Sequence, residues 1–495
     1  MKLIRTEDAA GQVLCHDITQ IIPGEFKGAR FRKGHIIQPE DIPVLLSIGK
    51  ENLYVWEKKP GILHEDEAAA LLYKAAAGKN IHGTEPKEGK IELIADCDGL
   101  LKINREALLA VNRTPQMMIA TIHGDLPVKK GQKLAGTRII PLVIEQEKMD
   151  AMQAAAGSEP ILNVLPMQAK KFAVITTGSE VFKGPRFRKG HIVQPEDIPV
   201  LLSIGKENLY VWEKRPDILH EDEAAALLYK AAAGKNIHGT EPKEGKIELI
   251  ADCDGLLKID RAALLAVNRT PQMMIATIHG DMPVKKGQKL AGTRIIPLVI
   301  EQEKMDAMQA AAGPEPILNV LPFRAKKFAV IPTGSEVFKG RIEDKFTPIL
   351  QNKLAEYGCE MTFRKVCDDD PAGITAAILE AKDAGCELIF TTGGMSVDPD
   401  DRTPLAIKNT GADIISYGAP VLPGAMFLVS YLDGVPVCGL PGCVMYAKRT
   451  IFDLLLPRLL ADAPITAEDI ARLGEGGLCL GCAECHWPNC GFGHC

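Results

Sequence analysis

The sequence lacks the features that direct a chain to a membrane or to nucleic acid. None of its apolar runs approaches the length that spans a bilayer, and its first eight residues contain no apolar signal-peptide core. No long block of like charge is present, and 58 Lys and Arg against 64 Asp and Glu leave a formal net charge of -6 at pH 7. We therefore expect no membrane, no nucleic acid and a cytoplasmic location.

A block of 156 residues occurs twice in tandem. The tripeptide Phe-Lys-Gly appears at 26–28, 182–184 and 338–340, and the two copies that it delimits differ at about eleven positions. The units of a solenoid run to about 20–50 residues, so this is a domain-sized duplication instead. A gene duplication and an artefact of sequence assembly both remain open.

The duplication predicts one strand without a place in a sheet. Residues 171–181 repeat residues 327–337 except at Thr176, where the second copy has Pro332. One sheet has one position for that strand, so the first version should pack elsewhere, swap, or stay exposed as an aggregation-prone apolar segment. The predicted domains are an N-terminal α+β module with repeat copy 1 (1–170), an orphan strand and linker (171–184), repeat copy 2 (185–326), an α/β domain (327–464) and a Cys-rich tail (465–495).

The fold class is predicted to be α/β, with two near-identical α+β modules before a three-layer C-terminal domain. Within one copy, residues 90–103 alternate between apolar and polar, and Asp98-Gly99 predicts a hairpin turn between two strands. From Lys327 strands alternate with helices, which is typical of a mostly parallel sheet with helices on both faces.

In such sheets ligands lie beyond the carboxyl ends of the strands. Four predicted strand ends carry glycines, hydroxyls or acids, namely 333–336, 366–369, 392–394 and 439–442. Glycines before a helix N-terminus favour an anion, and a carboxylate close by favours a divalent cation. The stretch 391–404 therefore predicts a phosphate or pyrophosphate ligand with Mg²⁺ near Asp401; a solvated acidic turn is the alternative.

These same segments resemble the molybdopterin-binding domain of molybdenum-cofactor biosynthesis proteins. That superfamily includes molybdopterin adenylyltransferase and molybdopterin molybdenumtransferase. The specific part is Thr392-Gly393-Gly394 followed by Asp401, together with the turns at 333–336 and 439–442. The resemblance covers about 327–460, and residues 32–56 are more weakly similar to the segment that leads into this domain in molybdenumtransferases.

The resemblance implies a ligand, a metal and site residues. The ligand is molybdopterin or adenylated molybdopterin, molybdate and Mg²⁺ take part, and molybdoenzymes receive the cofactor. Asp401 and Asp368 are the implied catalytic residues, with Mg²⁺ on Asp401, and a homo-oligomer is expected. The implied cofactor-binding residues are Thr333, Gly334, Ser335, Glu336, Thr392, Gly393, Gly394, Met395, Ser396, Gly439, Pro441 and Gly442.

Two positions depart from the molybdenumtransferase pattern. Cys443-Val444 stands where those enzymes usually carry Asn-Pro, and the turn at 423–426 lacks the usual lysine. These changes affect molybdate insertion more than pterin binding, which rests on backbone and hydroxyl groups. The first functional hypothesis is a molybdenumtransferase-like enzyme; adenylyl transfer to molybdopterin and a non-catalytic cofactor carrier or sensor are the alternatives.

The tail is dense in soft metal ligands. Cys479, Cys482, Cys485 and Cys490 follow one another at short spacing, and five of the 13 cysteines fall in the last seventeen residues. In a cytosolic chain this pattern favours a metal over disulfides, so Zn²⁺ or an iron–sulfur cluster is predicted. A disordered, redox-reactive tail and thiols that handle molybdenum or sulfur are the alternatives.

Overall fold

The computed structural model describes the chain except residues 1, 23–25, 56–59, 171–192, 210–214, 396–400 and 495. The predicted orphan segment 171–184 and the predicted site residue Ser396 therefore lie outside the described residues. Within the described ranges, every helix is too short or too polar to cross a bilayer.

The N-terminal subdomain is small and built from two strand pairs and a helix. Strands β1 and β4 pair antiparallel, as do β2 and β3. Leu14, Ile37, Leu45 and Leu53 are fully buried at its centre. Its elements are β1 (Lys2–Arg5), β2 (Ile18–Ile22), β3 (Phe26–Phe31), α1 (Asp41–Ser47) and β4 (Asn52–Val55).

The first repeat then forms an α+β unit, which we call the repeat-1 module (62–166). It contains a four-stranded sheet in the order β6-β7-β11-β9, a three-stranded sheet β10-β8-β13 and the pair β5–β12. The elements are β5 (Ile62–His64), α2 (Glu65–Ala76), β6 (Ile81–Gly83), β7 (Lys90–Ala95), β8 (Gly99–Ile103), α3 (Arg105–Asn112), β9 (Met117–Thr121), β10 (Pro127–Val128), β11 (Lys133–Ile139), β12 (Val143–Glu145), α4 (Gln146–Ala156) and β13 (Leu162–Pro166).

The second repeat forms the same unit, the repeat-2 module (218–322), after a short helix, α5 (Ile198–Ser203). Its sheets have the orders β15-β16-β20-β18, β19-β17-β22 and β14-β21. The elements are β14 (Ile218–His220), α6 (Glu221–Ala232), β15 (Ile237–Gly239), β16 (Lys246–Ala251), β17 (Gly255–Ile259), α7 (Arg261–Asn268), β18 (Met273–Thr277), β19 (Met282–Val284), β20 (Lys289–Ile295), β21 (Val299–Glu301), α8 (Gln302–Ala312) and β22 (Leu318–Pro322).

The hairpin predicted at Asp98-Gly99 is wrong. Strand β7 pairs with β6 and β11, whereas β8 pairs with β10 and β13 in a different sheet. The Asp98 carboxylate accepts hydrogen bonds from the Lys130 backbone N–H (2.9 Å) and from Lys129 Nζ (2.8 Å). These bonds join the turn to the 129–130 loop, and β8 continues into the second sheet instead of folding back on β7.

The C-terminal domain is built on one six-stranded sheet in the order β24-β23-β25-β28-β27-β26. The first four strands are parallel, and β27 runs antiparallel to both of its neighbours. Its elements are β23 (Lys327–Pro332), α9 (Ser335–Phe338), α10 (Phe346–Ala355), β24 (Glu360–Arg364), α11 (Pro371–Asp383), β25 (Leu388–Thr392), α12 (Thr403–Asn409), β26 (Asp413–Tyr417), β27 (Leu428–Leu432), β28 (Val435–Leu440), α13 (Ile451–Leu460) and α14 (Ala467–Arg472).

Helices cover both faces of this sheet. Successive residues of β23 point to opposite faces, as strand geometry requires. Phe328 and Val330 pack in the cluster that contains α10 and α13, and Ala329 and Ile331 pack in the cluster that contains α11 and α12. The predicted mixed α/β fold class is confirmed.

The two repeat modules lie in different surroundings although their sequences are nearly identical. In the repeat-1 module, Ala120 and Ile140 are buried together with Ala425 and Met426 of the C-terminal domain. Ile140 is 3% exposed, and its counterpart Ile296 in the repeat-2 module is 58% exposed. One copy therefore docks on the C-terminal domain through a face that the other copy leaves in solvent.

Candidate functional site

Three parallel strands end side by side and bring three glycine-containing turns together. Pro332, Thr392 and Leu440, at the carboxyl ends of β23, β25 and β28, are neighbours in the strand register. The turns that follow them form one edge, which we call the rim. It consists of residues 333–336, 367–369, 393–395, 401–403 and 441–443.

Gly393 and Gly394 allow these turns to approach one another closely. Both have positive φ (+94° and +57°), and a Cβ at Gly393 would lie 2.3 Å from the Thr333 carbonyl oxygen. A Cβ at Gly394 would lie 2.6 Å from Thr403 Oγ1. Since protein atoms fill both Cβ positions, these glycines serve first to pack the rim. The hydroxyl of Thr403 donates to the Gly393 carbonyl (2.9 Å), which holds Asp401, two residues earlier, at the same edge.

Two other glycines border open space. A Cβ built at Gly334 or at Gly442 would have no neighbour within 4 Å. Gly439 is different, because its Cβ would lie 2.6 Å from the Sδ of Met395, which is 4% exposed. Of the predicted binding residues, Met395 and Gly439 thus pack against each other, whereas Gly334 and Gly442 face room that a ligand could fill.

The acidic turn after β24 is held by its own hydrogen bonds. Asp369 Oδ2 accepts from the Ser335 backbone N–H (2.8 Å), and Asp368 Oδ1 accepts from the Asp369 backbone N–H (2.9 Å). Asp368, a predicted catalytic residue, is half-buried at the rim. Asp369, which the sequence did not single out, is the acid that ties this turn to the 333–336 turn.

The N-terminal subdomain covers the 333–336 turn. A Cβ at Gly49 would lie 3.5 Å from Ser335 Oγ, and Arg341 Nη1 donates to the Ser47 carbonyl (3.3 Å). Burial raises the pKa of the half-buried Glu336, while the nearby charges of Lys50 and Arg341 lower it. Lys50 therefore contributes positive charge to the rim from a distant part of the sequence.

Tyr417 lies beside Asp401. Its hydroxyl donates to the Met395 carbonyl (3.1 Å). Burial, with a smaller contribution from the Asp401 carboxylate, raises the pKa of Tyr417 to about 12, while Arg138 opposes the rise. The phenol is therefore neutral at pH 7, and its one proton is donated to the Met395 carbonyl next to the half-buried Asp401.

Arg138, in β11 of the repeat-1 module, brings an unpaired cation to this edge. Its Nε is buried without a hydrogen-bond partner, and within the described part of the chain its guanidinium forms no ion pair. Burial lowers its pKa, whereas the charges of Glu65, Glu88, Tyr417 and Cys443 raise it. An unpartnered buried donor is costly, so this guanidinium is poised for an anion.

Cys443 occupies the turn after β28. Burial raises the pKa of its thiol to about 11, although Arg138 and Lys353 act in the opposite direction and Asp453 adds to the rise. At pH 7 the side chain is a neutral thiol, which disfavours nucleophilic chemistry there.

The four described tail cysteines lie near enough for Cys482, Cys485 and Cys490 to raise the pKa of Cys479, after the larger effect of burial. Cys479 and Cys490 are half-buried, Cys482 and Cys485 are exposed, and all four are free thiols. In the described ranges, three donors come within 4.8 Å of one another at only two places, in 64–66 and in 220–222. Zn²⁺ or an iron–sulfur cluster in the tail stays a prediction.

Comparison with known proteins gives two family matches. Residues 329–461 match the model described as "Probable molybdopterin binding domain". Residues 3–57 and 175–213 match the model described as "Domain of unknown function (DUF8806)".

Relatives and solved structures match in part. A "CinA-like protein" of Mycolicibacterium gilvum is 39% identical over 74 residues, which is 15% of this chain and 18% of that protein. The one of Mycobacterium leprae is 36% identical over 74 residues, 15% of this chain and 17% of its own length. The chain thus matches less than a fifth of the length of these relatives.

Among solved structures, the molybdopterin biosynthesis moea protein of Pyrococcus horikosii aligns with 50% of this chain and 80% of its own chain, at 20% identity and a TM-score of 0.24. The protein CinA of Thermoplasma acidophilum aligns with 27% of this chain and 98% of its own at 20% identity and a TM-score of 0.24.

Proposed function

Residues 329–461 form a domain of the molybdenum-cofactor-biosynthesis superfamily, and from that premise we propose that the chain binds molybdopterin or adenylated molybdopterin at the rim. We further propose that it acts as a molybdenumtransferase-like enzyme. In that reaction two molybdenum–sulfur bonds form as one oxo group of molybdate leaves as water with the two dithiol protons, and a second water cleaves the phosphoanhydride so that AMP leaves the adenylated pterin.

One arrangement carries the proposal: a carboxylate, a neutral phenol and an unpaired guanidinium lie at one edge of the sheet. Thr403 holds Asp401 against the glycine turn, and Tyr417 is close enough to feel the Asp401 charge. Arg138 is near Tyr417 and Cys443. An arginine without an ion pair favours a phosphate, which accepts bidentate hydrogen bonds from it.

The rim also suits Mg²⁺. This ion keeps several waters and is usually bound by one or two carboxylates together with substrate phosphates. Asp401 is half-buried and at the rim, and Asp368 is the second candidate ligand. When bound, Mg²⁺ would neutralise negative charge on the phosphoanhydride. Arg138 would hold a phosphate oxygen at the same edge.

A non-catalytic carrier or sensor is the second candidate. Cys443 is a neutral, half-buried thiol at the position where the transferases usually carry asparagine. The Ser335 backbone N–H is already bonded to Asp369 and is not free for a phosphate. Both observations favour a site that binds the pterin but lacks part of the insertion chemistry.

The test is AMP release by the full chain from adenylated molybdopterin with Mg²⁺ and molybdate. We expect Asp401→Asn to abolish AMP release while the pterin affinity changes only a few fold. Asp413→Asn, at an exposed carboxylate of β26, is the control and should keep the wild-type rate.

The other outcomes separate the alternatives. Tight pterin binding without AMP release would replace the transferase by the carrier. Adenylated product from ATP and molybdopterin would identify an adenylyltransferase. A wild-type rate in Asp401→Asn would remove the role assigned to Asp401, and no pterin binding by the wild-type chain would refute the proposal.

A further inference from the structure

Three histidines from three separate segments meet where the two repeat modules and the tail come together. His123 belongs to the repeat-1 module, and His279 is the same position in the repeat-2 module, 156 residues later. Their ring centroids are 6.2 Å apart with the rings stacked. His494 of the tail packs edge-on against His279, with centroids 4.3 Å apart. The duplication thus brings two copies of one histidine to the same place.

These rings border two cavities that are open to solvent. The cavities, of about 480 Å³ and 540 Å³, are each lined by all three histidines. The second cavity is also lined by Cys490. The site lies away from the rim, so it is independent of the pterin proposal.

The hydrogen bonds leave lone pairs on the ring nitrogens. His494 Nε2 is 2.8 Å from the Pro488 carbonyl, which can only accept, so Nε2 carries the hydrogen and Nδ1 has the lone pair. His494 is 7% exposed, and its Nδ1 is buried without a hydrogen-bond partner. His123 Nε2 likewise donates to the Gly491 carbonyl (2.9 Å), which leaves its Nδ1 as an acceptor.

The charges around the site are mixed, since Arg105, Arg261 and Arg472 and one carboxylate, Glu475, line the first cavity. Arg105, on the wall of the first cavity, donates to Glu475 (2.7 and 2.9 Å), and Glu475 also accepts from the Gly124 backbone N–H (3.0 Å). The Glu475 carboxylate is 3.9 Å from His123 Nδ1. Arg472 pairs with Glu468 (2.8 Å), whereas the exposed Arg261 places its charge close enough to His279 to lower the pKa of that ring.

We propose that His123, His279 and His494 form a binding site for a divalent transition-metal ion such as Zn²⁺, which neutral imidazoles favour. Within the described ranges, no three donors of this group lie within 4.8 Å of one another, so side chains must rotate to close the site. The His279 side chain can rotate with the smallest loss of interactions, because it is exposed and forms no hydrogen bond with the described residues. A bound ion would join both repeat modules to the tail.

The experiment is a Co²⁺ titration of the metal-free full chain, followed by absorption spectroscopy. Sulfur-to-cobalt charge-transfer bands report any thiolate site in the tail, and the visible d–d bands together with the stoichiometry report the histidine site. The test variants are His279→Ala and the more conservative His279→Gln. The control is His238→Ala, which removes an exposed histidine of the same module that pairs with Asp252. Thermal unfolding without metal establishes that each variant is folded.

We expect both His279 variants to bind one Co²⁺ equivalent fewer than the wild type, or to bind it at least about 10-fold more weakly, with charge-transfer bands unchanged. His238→Ala should match the wild type. Equal stoichiometry and affinity in the His279 and His238 variants would overturn the proposal. So would binding of inorganic phosphate by the wild type that disappears in His279→Gln, because the site would then take an anion.

Discussion

Arg138→Ala tests whether Arg138 binds the pterin, and the duplicated sequence supplies a matched control, Arg294→Ala. Both arginines occupy the same position of the repeat, in β11 and β20. Arg138 is half-buried beside Tyr417 and Cys443, whereas Arg294 is exposed. If Arg138 holds a phosphate of the pterin, only the first substitution should weaken binding.

The expected loss follows from the number of bonds that the guanidinium could form. A hydrogen bond to a charged group contributes about 1.5–3 kcal/mol, so losing one would weaken the pterin affinity by about 10- to 150-fold. Stability at pH 7 should change by less than about 1 kcal/mol, because removing the unpartnered donor at Nε offsets the lost attraction to Glu88, while Glu65, with its raised pKa, is mostly neutral. Arg294→Ala, at an exposed site, should alter stability by less than about 0.5 kcal/mol.

The assay is equilibrium binding of adenylated molybdopterin to the full chain, with chemical denaturation as the control for folding. Equal affinities for Arg138→Ala and the wild type would refute the role of Arg138. An equal loss in both arginine variants would also refute it, since a distant effect of charge would then explain the result. A large loss of stability in Arg138→Ala alone would show that the arginine is structural.

Two further predictions use the same pairing of copies. Burial first, and the charge of Asp66 second, raise the pKa of Glu65 from 4.5 to about 8. Between these two pH values Glu65 is protonated in the folded state and ionised in the unfolded state. The free energy of unfolding should therefore fall as pH rises, by on the order of a few kcal/mol. Glu65→Gln should flatten that fall in a denaturation series from pH 4.5 to 8, with the half-buried Glu221→Gln as control, and an unchanged slope would contradict the assignment. Ile140→Ala should lower the free energy of unfolding by about 2–5 kcal/mol and Ile296→Ala by less than about 0.5 kcal/mol, because Ile140 is buried and Ile296 is exposed. Equal losses in the two variants would show that the docking face is not as described.

The C-terminal rim could be predicted because its parts are local. Each strand, turn and helix start is coded by neighbouring residues, and parallel strands place their carboxyl ends at one edge whatever the rest of the chain does. Asp401 and the turn at Gly334 therefore lie at the carboxyl edge of the sheet, as the sequence pattern predicts. The interpretation of Gly393 and Gly394 was incomplete, since their missing side chains first make room for Thr333 and Thr403.

The residues that the sequence did not reveal reach the rim by long-range packing. Arg138 and Lys50 belong to other modules, and no local pattern relates them to the glycine turns. Arg138 follows Thr137 in a strand that also contains Lys133, so even its own strand gives little local signal. The Asp98-Gly99 hairpin failed for the same reason, because bonds to a loop thirty residues away override the turn.

Equivalent residues of the two copies can lie in very different surroundings. Ile140 and Ile296 lie in the same local sequence and the same strand–turn context, yet one is buried and the other exposed. The difference arises because the C-terminal domain contacts that face in one copy only.

Native mass spectrometry of the full chain with adenylated molybdopterin and Mg²⁺ tests the central claim most directly. The rim should retain one pterin per chain in the wild type and in Arg294→Ala, and much less in Arg138→Ala. A wild-type chain that retains no pterin, or an Arg138→Ala chain that retains it fully, would contradict the site described above.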